Sequence, residues 1–193
     1  GSQTVTGAGA MALGGSYASG TDSFAAGVTN NTSTYGATGA NSIALGYQNI
    51  ASSAYANAVG SSNSVTTTSG HTFGNTNTVA GTGLAIGRFC EVGSLGGMAI
   101  GSQARADGFF KLAFSSGSFV SAGDSQTGTF VLSSETTGAT PTVLTMGNSG
   151  LVARQIILPN NSAYSFSGTI ISRQKTSNGS NYAAWEVKGA ILR

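Results

Sequence analysis

The sequence predicts an all-β fold: a parallel β-roll or solenoid of 13–14-residue repeats, followed by a small antiparallel β-domain. Three observations carry this. A tetrapeptide of the form large apolar, Ala, large apolar, Gly recurs eight times over residues 3–115. Thirty glycines stand against two prolines. Charged residues make up 7% of the chain, against about 25% in an ordinary globular protein. Small uncharged side chains (Ser, Thr, Asn, Gly, Ala) take their place, and these suit closely stacked backbones.

The tetrapeptides are Met11–Gly14, Phe24–Gly27, Ile43–Gly46, Asn57–Gly60, His71–Gly74, Leu84–Gly87, Met98–Gly101 and Leu112–Ser115. Their fourth positions are spaced 13, 19, 14, 14, 13, 14 and 14 residues apart; the spacing of 19 inserts a loop between Gly27 and Gly46. Large residues at the first and third positions and Ala or Thr at the second give the alternation of a β-strand. The glycine permits a backbone shape or a close approach that a side chain forbids. A second element follows five residues after most of the glycines, at Ala51, Val65, Val79, Val92 and Ala106. About fourteen residues hold two short strands and two turns, one coil of a solenoid. Eight coils at roughly 4.8 Å per rung make a rod on the order of 35 Å long. The large first and third positions are expected to face inward. The Ala column is then expected on the outer face, packed against neighbouring subunits, because a coil this thin offers little apolar burial to offset backbone ordering. Asn49, Asn63 and Asn77 each lie three residues after a glycine and predict an amide ladder. Cys90 shares that offset and is read as a structural thiol; being alone, it forms no intrachain disulfide.

This repeat resembles the head repeat of YadA-type trimeric adhesins, which also occurs in bacteriophage tail fibres. The segments Lys111–Gly117, Gly123–Thr129, Pro141–Thr145, Ile157–Tyr164 and Ala184-Trp185 resemble the C-terminal part of phage tail fibre proteins. The resemblance implies a left-handed parallel β-roll wound into an intertwined homotrimer. It also implies a fibre on the virion that attaches noncovalently to a bacterial surface receptor. That receptor would be a polysaccharide, a lipopolysaccharide or an outer-membrane protein, and other phage tail proteins would be further partners. Alternatives on the same architecture are a cell-surface adhesin head, a polysaccharide-degrading tailspike and a purely structural fibre segment.

Gly1 and Ser2 are read as an expression scar, residues 3–115 as the repeats, and residues 116–193 as a C-terminal β-domain truncated at its end. Within it, Thr129–Leu132, Thr142–Thr145 and Gln155–Leu158 read as short strands and Pro159–Asn161 as a turn. Ala163–Lys175 and Tyr182–Leu192 predict a hairpin turning at Asn178-Gly179. Tyr164, Phe166 and Ile170 share one face of it, as do Trp185, Val187 and Ile191.

The chemistry-bearing residues are few. The six carboxylates (Asp22, Glu91, Asp107, Asp124, Glu135, Glu186) are scattered and are read as solvated turn residues, whereas glycoside hydrolysis needs two within about 10 Å. His71, the one histidine, has no acid near it in sequence for a nucleophilic triad. It is read as hydrogen-bonded beside Asn57; three copies around a trimer axis would make a metal or anion site. The expectation is a binding protein without enzymatic activity or cofactor. A net charge of +2 with no basic run points away from nucleic acid, and no stretch reaches the ~18 apolar residues of a membrane span. Candidate receptor contacts are Tyr35 in the inserted loop and Tyr164, Tyr182 and Trp185 in the C-terminal domain, Trp185 being read chiefly as core.

Overall fold

The computed structural model describes residues 3–27, 33–136, 138, 140–147, 154–158, 161–174 and 181–193. Among these the fold is all-β without an α-helix. Contacts divide it into two compact units, Gly1–Gln155 and Ile156–Arg193.

The first unit is the solenoid. One wall is built from the tetrapeptides: β2 (Met11–Leu13), β4 (Phe24–Ala26), β6 (Ile43–Tyr47), β8 (Asn57–Ser61), β10 (His71–Asn75), β12 (Gly83–Arg88), β14 (Gly97–Ser102) and β16 (Leu112–Ser116). The other wall is built from two-residue strands: β1 (Thr4–Val5), β3 (Tyr17–Ala18), β5 (Gly36–Ala37), β7 (Ile50–Ala51), β9 (Ser64–Val65), β11 (Thr78–Val79), β13 (Glu91–Val92) and β15 (Arg105–Ala106). Strands within each of these walls pair in parallel with the next rung, in the register of the repeat: Leu84 with Met98, Ala85 with Ala99, Ile86 with Ile100, Gly87 with Gly101. The inserted residues 28–32 lie outside the described part, and the register across them is kept, Phe24 pairing with Ile43.

The orientation of the wall is the reverse of the expectation. Ala25, Ala44, Ala58, Thr72, Ala85, Ala99 and Ala113 are fully buried inside the coil. The large first and third positions point outward; Met11, Leu13, Phe73, Ile86, Met98, Leu112 and Phe114 are all exposed. Alternation fixes which residues share a face, and coil size fixes which face is inside. With one strand per wall and rung, the interior has room for an Ala from one wall and an Ala or Val from the other, and Met, Leu or Phe would not fit.

The interior is matched at six of the rungs. Where the short wall contributes Val65, Val79 or Val92, the residue just before or at the start of the facing long strand is Gly70, Gly83 or Gly97. Where it contributes Ala18, Ala37 or Ala51, that residue is Ser23, Ser42 or Ala56. A Cβ on Gly70 would stand 2.8 Å from a methyl of Val65 and of Val79, closer than packed carbons approach.

The amide ladder forms as predicted. Asn49 Oδ1 accepts the Asn63 backbone N–H at 3.0 Å, Asn63 Oδ1 that of Asn77 at 3.0 Å, and Asn77 Oδ1 that of Cys90 at 2.9 Å. Each Asn Nδ2 donates to the carbonyl four residues earlier and to the glycine carbonyl of the next rung, as Asn63 does to Val59 at 3.0 Å and Gly74 at 2.8 Å. Cys90 Sγ addresses the equivalent pair, Ile86 and Gly101. Gly46, Gly60, Gly74, Gly87 and Gly101 take φ of 102–127°, and a Cβ on any of them would fall on the carbonyl oxygen of the next rung. Glycine is required there twice over.

The rod is closed after β16. β17 (Thr127–Thr129) pairs with β16 antiparallel and ends the parallel wall. On the other wall the Gln126 side chain replaces a strand: its Oε1 accepts the Arg105 N–H at 2.8 Å and its Nε2 donates to the Arg105 carbonyl at 2.9 Å. β18 (Leu132–Ser133) and β19 (Thr145–Met146) form a separate antiparallel pair. The chain after the last repeat therefore divides, part remaining in the solenoid unit. Gln155–Leu158 forms no strand.

The second unit is a hairpin of β20 (Ala163–Arg173) and β21 (Tyr182–Leu192), in register from Ala163–Leu192 to Arg173–Tyr182. Its predicted turn at Asn178-Gly179 and the residues Pro159-Asn160 lie outside the described part.

Candidate functional site

The largest candidate surface is the outer face of the tetrapeptide wall. Its first column reads Met11, Phe24, Ile43, Asn57, His71, Leu84, Met98, Leu112 up the rod. Its third reads Leu13, Ala26, Leu45, Val59, Phe73, Ile86, Ile100, Phe114. This is an apolar stripe running up the wall, of the kind that marks an interaction surface. It is interrupted in the first column at two adjacent rungs. There Asn57 Nδ2 and His71 Nδ1 are hydrogen-bonded at 2.9 Å, and both residues are half-buried. The pairing is the one the sequence suggested, but it sits on the outer face and not in the core.

Three of the six carboxylates are held in structural contacts. Glu91 and Asp107 are brought together by Arg105, whose Nε lies 3.4 Å and 2.6 Å from them. Arg105 and Asp107 lie two residues apart on one rung, and Glu91 joins them only when rungs stack, so sequence spacing gave no sign of the full cluster. Lys111 beside it donates to the Arg105 carbonyl at 3.0 Å, and burial holds its amine below the usual lysine value. Asp124 accepts the backbone N–H groups of Phe119, Val120 and Ser121 at 2.7–2.8 Å. These bonds, led by those from Ser121 and Val120, hold its carboxyl below the usual aspartate value. The clamp shapes a tight loop that displays Phe119 and Val120 almost fully to solvent. Near it lies a shallow open depression lined by Phe114, Ser115, Ser116, Ser125, Gln126 and Thr127. Burial raises the Cys90 thiol above its ordinary value.

The predicted receptor contacts fall in different places. Tyr35 is half-buried immediately before β5, in the rung slot that Asn49 and Asn63 fill elsewhere. Tyr164 and Trp185 share one hairpin face with Phe166, Ile170, Val187 and Ile191. Trp185 is about half exposed (51%) and does not form a core within the hairpin. The Phe166 ring covers Gly189, where an added Cβ would stand 2.7 Å from it. Tyr182, the most exposed of the four at 75%, is on the opposite face with Glu186 and Lys188. Among the described residues no group of three or more His, Cys, Asp or Glu side chains converges on a point where a metal would sit. No family model, curated protein or solved structure matches the chain.

Proposed function

We propose that the chain is part of a homotrimeric phage tail fibre that attaches noncovalently to a bacterial surface. The observation that carries this is the apolar stripe along the outer face of a coil whose own interior holds little more than Ala and Val. Such a coil buries too few apolar atoms to offset its ordering by itself. A second copy of the chain has the same rung spacing, so its stripe meets this one at every level along the rod. The two-stranded hairpin raises the same need: one of its faces is apolar, and an isolated pair of strands is marginal in water.

The repeat and C-terminal motifs resemble those of trimeric fibres, and a rod presents its loops and end to a receptor. Three copies of a weak site then sum to firm attachment where all three can engage. The exposed Tyr182 and the Phe119-Val120 loop are the contacts we assign to the receptor. In the test, purified protein competes with the parent phage for adsorption to its host. Competition that weakens on Tyr182→Ala at unchanged thermal stability supports the reading. Folded trimer that does not compete would move the segment to a structural role. Release of oligosaccharides from host polysaccharide would make it a hydrolase.

A further inference from the structure

A periodic stripe leaves the alignment of subunits undetermined. Sliding one copy along another by a rung exchanges Leu for Met or Ile for Phe at small cost, since apolar residues of similar volume substitute readily. The rungs carrying Asn57 and His71 are different. In the bonded pair Asn57 Nδ2 donates to His71 Nδ1, which places the ring proton on Nε2. That leaves one donor, His71 Nε2–H, and one acceptor, Asn57 Oδ1, to which no bond is made among the described residues. Apolar neighbours surround both: Ile43 and Leu84 in the same column, Val59, Phe73 and Ile86 beside them.

We infer that Asn57 and His71 form the polar layer that sets the register of the assembled rod. Each chain's His71 Nε2–H donates to the Asn57 side-chain carbonyl of the next copy, closing a ring. One spare donor and one spare acceptor per chain satisfy a cyclic arrangement completely. Any slip by a rung buries both against apolar side chains, at the cost of an unmet buried polar group. The inference rests on the homo-oligomeric reading above.

A double variant tests this on the full chain: Asn57→Leu, His71→Leu completes the apolar column. With a nitroxide on Thr68→Cys, the unaltered stripe should give one narrow inter-subunit distance, and the double variant a spread offset by whole rungs. A trimer whose double variant keeps one narrow distance overturns the inference and leaves the oligomeric reading standing. A folded monomer at pH 7.5 overturns both.

Discussion

Gly70 and the two valines around it show how little space a coil of this kind leaves. Gly70→Ala adds one methyl where 2.8 Å separates the new carbon from both Val65 and Val79, and overpacking of this order costs about 1–3 kcal/mol. Val65→Ala leaves a gap in the same place. The two changes together should destabilise by less than the sum of their separate effects, a coupling that a double-mutant cycle of urea melts reads directly. The amide ladder is as demanding. Asn63→Ala leaves the buried N–H of Asn77 without its acceptor and removes the amide bonds to the carbonyls of Val59 and Gly74. With one buried N–H left unmet, the loss should be roughly 1–3 kcal/mol. Cys90→Asn restores the amide that the other rungs carry and should be tolerated far better than Cys90→Leu. The buried thiol, with its proton held more tightly than usual, should resist alkylation until the protein unfolds. The ladder could be read from the sequence because Asn recurs at a fixed offset from glycine. The left-handed turn residues Tyr55, Phe89 and Phe110 (φ of 51–59°) could not. Each gives its N–H to a carbonyl one rung earlier, Tyr55 to Ala40, Phe89 to Asn75 and Phe110 to Leu95, and that bond sets the conformation whatever the side chain.

At the scale of elements, strand positions and pairing follow from period and alternation, and the hairpin follows from its two eleven-residue runs. Which face of the tetrapeptide wall lies inside does not follow from alternation. It follows from the width of the coil, which admits Ala85 and excludes Ile86. The cap was also hidden, since Gln126 closes β15 with a side chain where a repeat would supply backbone. The loop before it depends on one carboxylate. Asp124 binds three amides as the anion, so its folded-state value lies below the usual aspartate value of about 3.9. The hold is complete above that usual value and is lost as the pH falls through the lowered one. Amide exchange at Phe119, Val120 and Ser121 should accelerate in that acid range, and Asp124→Ala should give the same acceleration at neutral pH. Unchanged exchange in the variant would mean that the loop keeps its shape without the clamp.

For the molecule as a whole, labour is divided between an interior of small residues and an exterior stripe of large ones. Ala85→Leu should disrupt the coil itself, costing about 1–3 kcal/mol or more per chain, while Thr68→Leu at an exposed turn should cost little. Ile86→Asp, one residue along on the stripe, should leave the coil's interior intact and weaken association, because it puts a charge where an apolar contact is proposed. Equal melting of the Ala85 and Thr68 variants would contradict the inward placement of the Ala column. The central claim is that this stripe is covered by further copies of the same chain. Light scattering on the purified protein in dilute neutral solution tests it most directly. Three times the 19.0 kDa chain mass is expected, and a folded, stable species at the mass of a single chain would overturn the claim.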